Sequence, residues 1–288
     1  MVFIGFEILM TEKSMLKAIK AFLFSAPPKP KPMLDDHRHF LLANVSFYKQ
    51  LNKEERIKFE QRCSSFIQVT DIVGHQLEVT DQDRLLVASS SVILAWGFDE
   101  WEYVQVDTVI LVPGSFNENS EFGRVDSNIT GLVGNQHLAG KMILSQPALH
   151  YGFSNDKDKR NVAIHEFAHL IDMADGDCDG LPKEITDAAF CLPWLNLVKK
   201  GITDINRKKS NIRDYGATNQ AEFFAVVSEY FFEQPQMLKR KQPELYSSLE
   251  SFYRQNRADL KQVVKVRKKA PCPCGSGKRY KRCCFSAT

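Results

Sequence analysis

The chain's 288 residues are 43% hydrophobic and 25% charged, which supplies a sizeable core and excludes an intrinsically disordered protein. Four of its seven cysteines crowd the last 17 residues, which excludes a secreted disulfide framework and points to a reducing compartment, the cytoplasm. The net charge of +3 hides a division: nine of the 38 Lys/Arg and none of the 35 Asp/Glu lie from Lys261 onward, leaving 29 bases against 35 acids in the body.

A basic tail of that kind meets a polyanion, docks on the acidic body, or serves as a solvated linker. No run reaches the ~18–20 apolar residues of a membrane span. The opening "MVFIGFEILM" is interrupted by Glu7 and lacks the basic start of a signal peptide. "MLKAIKAFLF" (15–24) has the pattern of an amphipathic helix. "APPKPKP" (26–32) is a proline-rich spacer that sets residues 1–32 apart as an extension. Residues 52–69 place Ile57, Phe59, Cys63, Phe66 and Ile67 at helical spacing. Thr80 caps a second helix, with Asp83 at its third position and Leu85, Leu86, Val92, Ile93 and Leu94 inside. "YVQVDTVILV" (103–112) is rich in β-branched residues and stops at Pro113-Gly114, as a buried strand does. Residues 114–140, rich in Gly, Asn and Ser, read as a long loop that frames a site. "KMILS" (141–145) is a short strand just before the next helix. This order of elements indicates an α+β domain rather than a regular βαβ array.

That next helix, "VAIHEFAHLIDMADG" (162–176), is apolar enough to be buried, yet it carries His165, Glu166, His169 and Asp172. Positions four apart share a helix face, so His165 and His169 can turn both imidazoles to one ion. Glu166 lies about 100° round the helix, where it reaches a water on that ion without ligating the metal. This is H-E-x-x-H, the zinc-peptidase arrangement. Buried neutral imidazoles need partners, and a metal supplies one.

Zinc requires a third protein donor. No histidine follows His169, which excludes the extended H-E-x-x-H-x-x-G-x-x-H type. In "DYGATNQAEFFAVVSEYFFE" (214–233), Asn219 can cap a helix on which Glu222 and Glu229 lie seven apart on one face. Glu222 also suits a capping box, and Glu229 suits a carboxylate that holds a ligating histidine from behind. Spacing alone leaves both open as the third ligand. Asp172, one turn beyond His169, is either a supporting carboxylate or a hydrogen bonder at the helix end.

"HEFAHLIDMADGD" followed by "YGATNQAEFFAVVSEYFFE" closely resembles the Mlc titration factor A family of zinc peptidases, over roughly residues 33–258. The metal-binding domain of anthrax lethal factor is a more distant likeness. The resemblance implies a gluzincin-like α+β zinc metallopeptidase domain, with the H-E-x-x-H helix beside a small sheet and residues 141–145 lining the cleft and pairing with an extended peptide. It implies His165, His169 and Glu222 as zinc ligands, Glu222 standing seven residues after a tyrosine, with Glu166 as general base and Tyr215 as the active-site tyrosine. The implied reaction is peptide-bond hydrolysis by a zinc-bound water activated by Glu166, on a peptide or protein substrate. It also implies a second role, that of a regulatory binding protein that sequesters a transcriptional repressor of the Mlc type.

"PCPCGSGKRYKRCC" gives C-x-C, eight residues, then C-C, and Gly275-Ser276-Gly277 lets the chain fold back. Cys272, Cys274, Cys283 and Cys284 together satisfy a structural zinc with no open position for water. So short a segment gains its folding energy from the metal. It resembles the SEC-C motif, which implies an adaptor whose basic surface (Lys278, Arg279, Lys281, Arg282) meets a protein partner or the ribosome. The expected organisation is a peptidase domain over 33–258, a basic linker over 259–270 and a zinc module over 271–288, with one catalytic and one structural zinc.

Overall fold

The computed structural model describes residues 31–99, 103, 105–117, 127–134, 139–155, 158–183, 188–259, 268–272 and 277–282. The helix expected over 15–24 and most of the proline-rich spacer lie outside them. Three helices open the body: α1 (Asp35–Asn44), α2 (Ser46–Gln50) and α3 (Lys53–Val69). The third begins with a capping box between Asn52 and Glu55 and buries Phe59, Cys63 and Phe66. Strand β1 (Asp71–Gly74) follows, and was not expected from the sequence; with four residues it carries too little alternation to be seen. Helix α4 (Asp81–Ala95) starts on the expected box between Thr80 and Asp83, and every residue from Leu85 to Ala95 is buried. It is a central rod around which the other layers pack.

Strand β2 (Val106–Val112) is followed by β3 (Gly131–Val133) and β4 (Gly140–Ser145). The sheet order is β1-β2-β4-β3, with β1, β2 and β4 parallel and β3 antiparallel to β4. Two sequence expectations change here. The stretch 114–140 is not loop throughout, because Phe116 and Ile129 bridge and residues 131–133 form β3. Strand β4 is hydrogen-bonded on both sides, so its backbone groups are taken and it cannot pair with an extended peptide. The outer position beside it belongs to β3. One face of the sheet joins the main core through Val109, Leu111, Met142 and Leu144, while Val112, Phe116 and Ile143 form a small cluster on the other.

Helix α5 (Gln146–Ser154), capped by Ser145 with a proline in its first turn, separates β4 from the motif helix. The strand therefore does not lead directly into the motif, as the sequence had indicated. Then come α6 (Val162–Asp172), α7 (Ala188–Asn206), α8 (Gln220–Glu233), α9 (Pro235–Lys241) and α10 (Pro243–Tyr253). Asn161 caps α6 and Asn219 caps α8, each accepting a backbone N–H two to three residues inside its helix. Helix α6 packs against α8, α4 and β3. The result is an α+β domain in which the motif helix lies between a second buried helix and the outer strand of a small sheet. No helix among the described residues is long and apolar enough to cross a membrane.

Candidate metal centre

Helix α6 is apolar on all sides: Ala163, Ile164, Phe167, Ala168, Leu170 and Ile171 are buried. Its polar side chains are nevertheless buried as well, His165 at 8% exposure and His169 at 7%. Their rings meet edge to face, and the two Nε2 atoms lie 3.2 Å apart. Glu222 arrives from the first turn of α8, where its backbone N–H donates to Asn219 Oδ1 at 2.8 Å. Asn219 thus supplies its half of a capping box, while the Glu222 carboxylate goes to the histidines. Its Oε2 lies 3.0 Å from His165 Nε2 and 3.6 Å from His169 Nε2. Tetrahedral zinc with bonds of about 2.0–2.1 Å sets its donors roughly 3.3–3.4 Å apart. The three observed separations bracket that value, so the donor set fits three of the four positions of a tetrahedral ion. No other cluster among the described residues joins both histidines to a carboxylate.

Glu229 takes the other position left open by the spacing. It is buried behind His165 at 2% exposure, and its Oε1 accepts from His165 Nδ1 at 2.8 Å. The same oxygen accepts from Arg213 Nη2, and Oε2 accepts the Asn161 N–H at 2.7 Å. With Nδ1 engaged by Glu229, His165 presents its Nε2 to Glu222 and His169. Burial opposes charge on His165, but the hydrogen bonds its protonated ring donates to Glu222 and Glu229 more than offset it and raise the imidazole to about 10. Burial would likewise raise Glu222, and the two histidines instead hold it well below the ordinary carboxylate range. Surroundings that favour positive charge on His165 favour a cation between these donors for the same reason.

Glu166 is 5% exposed and belongs to neither set. Burial raises its carboxyl above the usual value, against the pull of His165 and His169. A Cβ on Gly131 of β3 would come within 2.4 Å of Glu166 Oε1, so a glycine there is what lets the strand pass this carboxylate. Tyr215 lies in the turn Asp214–Ala217, half exposed, with its ring centroid 5.8 Å from that of His165. Burial and the neighbouring Glu222 raise its phenol to about 12, so its hydroxyl is a donor across the physiological range.

Asp172 is fully buried; its Oδ2 accepts the Gly180 N–H at 2.8 Å, while Oδ1 has no hydrogen-bond partner. Gly180 stands at φ +80° with α8 so close that a Cβ would meet Gln220 O at 2.5 Å. Asp172 thus fastens the segment beyond the motif helix. Cys178, assigned no role from the sequence, lies 3.6 Å from His169 Nδ1 and forms a second cluster with His169 and Asp172. Arg213, Asn161 and Gly131 were also missed, because each acts through a contact distant in sequence.

In the C-terminal segment, Pro271 bridges Arg279, Cys272 N–H donates to Lys278 O, and Gly277 turns the chain at φ +70°. Cys272 is buried. Cys274, Cys283 and Cys284 lie outside the described residues.

Residues 27–254 match the family described as glucose-regulated metallo-peptidase M90. The chain belongs to this family. Residues 269–286 match the SEC-C motif. An uncharacterized protein of Synechocystis sp. is 30% identical over 240 residues, covering 79% of this chain and 84% of its own. Mlc titration factor A of Escherichia fergusonii and of Klebsiella pneumoniae are each 29% identical over 223 residues, covering 72% of this chain and 81% of theirs. The M90 match includes every residue from His165 to Glu229, so the converging side chains belong to a metallopeptidase-like domain.

Proposed function

We propose that the chain is a zinc-dependent peptidase, with His165, His169 and Glu222 as metal ligands, Glu166 as general base and Tyr215 as oxyanion donor. The observation that carries this reading is the spacing of three buried donor atoms at 3.0, 3.2 and 3.6 Å beside a carboxylate that joins none of them. Zinc held by His165, His169 and Glu222 would polarise a carbonyl and lower the pKa of a bound water to ~7. Glu166 accepts the proton of the attacking water and returns it to the leaving amine. The raised affinity that burial gives its carboxyl suits both transfers. The Tyr215 hydroxyl donates to the oxygen on which negative charge develops. Arg213 and Asn161 hold Glu229, which fixes His165 so that no reorganisation is needed during reaction.

The outer strand β3 lies against Glu166 and, among the described residues, pairs only with β4. An extended peptide or protein substrate would add to it as a further strand. The basic segment around Cys272 would hold a structural zinc with Cys274, Cys283 and Cys284, and would meet a protein partner or the ribosome. A cytoplasmic location rests on the crowded cysteines.

The names of the 29%-identical relatives support a second role, capture of a transcriptional repressor of the Mlc type with proteolysis secondary. Glu166→Gln tests the first role and separates it from the second. The variant is expected to keep its zinc and lose ~10²–10⁴-fold in turnover of a peptide substrate. Equal turnover would remove the catalytic assignment. Capture of a repressor by the inert variant, with no cleavage by the native chain, would favour the second role.

A further inference from the structure

Beside the start of α6, where Asn161 and Ile164 line it, a cleft of about 660 Å³ opens between the α1–α2 junction, the end of α5 and the α8–α9 junction. Its volume falls in the range of small-molecule sites, roughly 300–1,000 Å³. Arg257 forms part of its wall and is only 6% exposed. Its Nη2 donates to Gln50 Oε1 at 3.3 Å, its guanidinium lies 4.3 Å from the Phe47 ring centroid, and its Nε has no hydrogen-bond partner. No carboxylate among the described residues pairs with it. Burial pulls the guanidinium down to about 10, opposed only by Tyr246. A buried cation left with an aromatic face and one amide oxygen is costly, and an oxyanion presented from the cleft would complete its donor fork.

The remaining walls define the rest of the occupant. Phe153, Phe232 and Met237 offer an apolar surface, and Arg240 adds a second cation at an exposed position. Glu233 also lines the cleft, with Oε2 accepting the Arg160 N–H at 2.8 Å. We infer that the cleft is a binding site for a small organic oxyanion, a carboxylate or phosphate monoester on a flat apolar body, with its charged end on Arg257. Asn161 lines the same cleft, caps α6 and donates to Glu229, so the occupant sits one residue chain away from the carboxylate behind His165. The inference does not depend on hydrolysis.

Calorimetric titration of the full-length protein tests it, with phenyl phosphate, benzoate and the neutral benzyl alcohol as probes. Saturable binding of at least one anion at millimolar concentration is expected, with none for the alcohol, and the tighter of the two anions names the ligand class. Arg257→Gln should weaken binding about tenfold or more, the loss of a charge-assisted hydrogen bond. Met237→Trp, which fills the cleft and leaves Arg257 in place, should abolish it, and decides the matter if the arginine variant does not fold. Absence of saturable binding for both anions, or binding that Met237→Trp leaves unchanged, overturns the assignment.

Discussion

His165 and His169 share one helix face, yet their outer nitrogens meet different surroundings. Behind His165, Glu229 accepts from the ring, from Arg213 and from the Asn161 N–H, so both of its oxygens are engaged. Behind His169 lie a thiol 3.6 Å away and the Asp172 carboxylate, one of whose oxygens is unbonded. One imidazole is held by a saturated, charged network and the other by a soft neighbour. The difference teaches where the rigidity of the centre resides: in the tie between α6 and α8, rather than in the helix that bears the motif.

Breaking the stronger side should have the larger consequence. Glu229→Ala is expected to weaken zinc binding ~10–100-fold, the usual cost of losing the carboxylate behind a ligating histidine. Competition with a chromophoric chelator measures it, and an unchanged affinity would mean that the network is scaffolding only. On the softer side, Cys178→Ala should fall short of the ~10-fold lower end of that range, by the same assay. An effect equal to that of Glu229→Ala would erase the asymmetry.

A third buried carboxylate separates ligand support from fold stability. Asp83 accepts from Thr80, Gln146 and His150, and so ties α4 to α5. Asp83→Asn should leave zinc affinity unchanged and lower unfolding free energy by about 1–3 kcal/mol at neutral pH. Burial would raise the Asp83 carboxyl, but hydrogen bonds from His150, Thr80 and Gln146 bring it below the ordinary value. A depressed folded value gives stability that is present above ~3.9 and lost as pH falls through the lower, folded one. Denaturant titrations should therefore show the gap between native and variant proteins closing on acidification; a gap that widens would contradict the sign.

These contrasts also mark what the sequence could reveal. The spacing of His165, Glu166 and His169 survives any fold that keeps 162–172 helical, and Asn219 announces the helix that delivers Glu222 and Glu229. Local chemistry writes such features into adjacent residues. Strand β3 was invisible because three half-buried residues starting with a glycine carry no alternation. Arg213 and Cys178 leave no spacing signal at all, since what places them is the packing of α6 against α8 and the turn after Asp172. The interior place of β4 is likewise a property of the sheet order, and no stretch of 140–145 records it.

The direct measurement is the zinc content of the purified full-length protein, set against a variant carrying both His165→Ala and His169→Ala. Elemental analysis should show the variant lacking one zinc per chain, with any metal at the C-terminal cysteines retained. Equal zinc in the two proteins would contradict a metal ion held between α6 and α8.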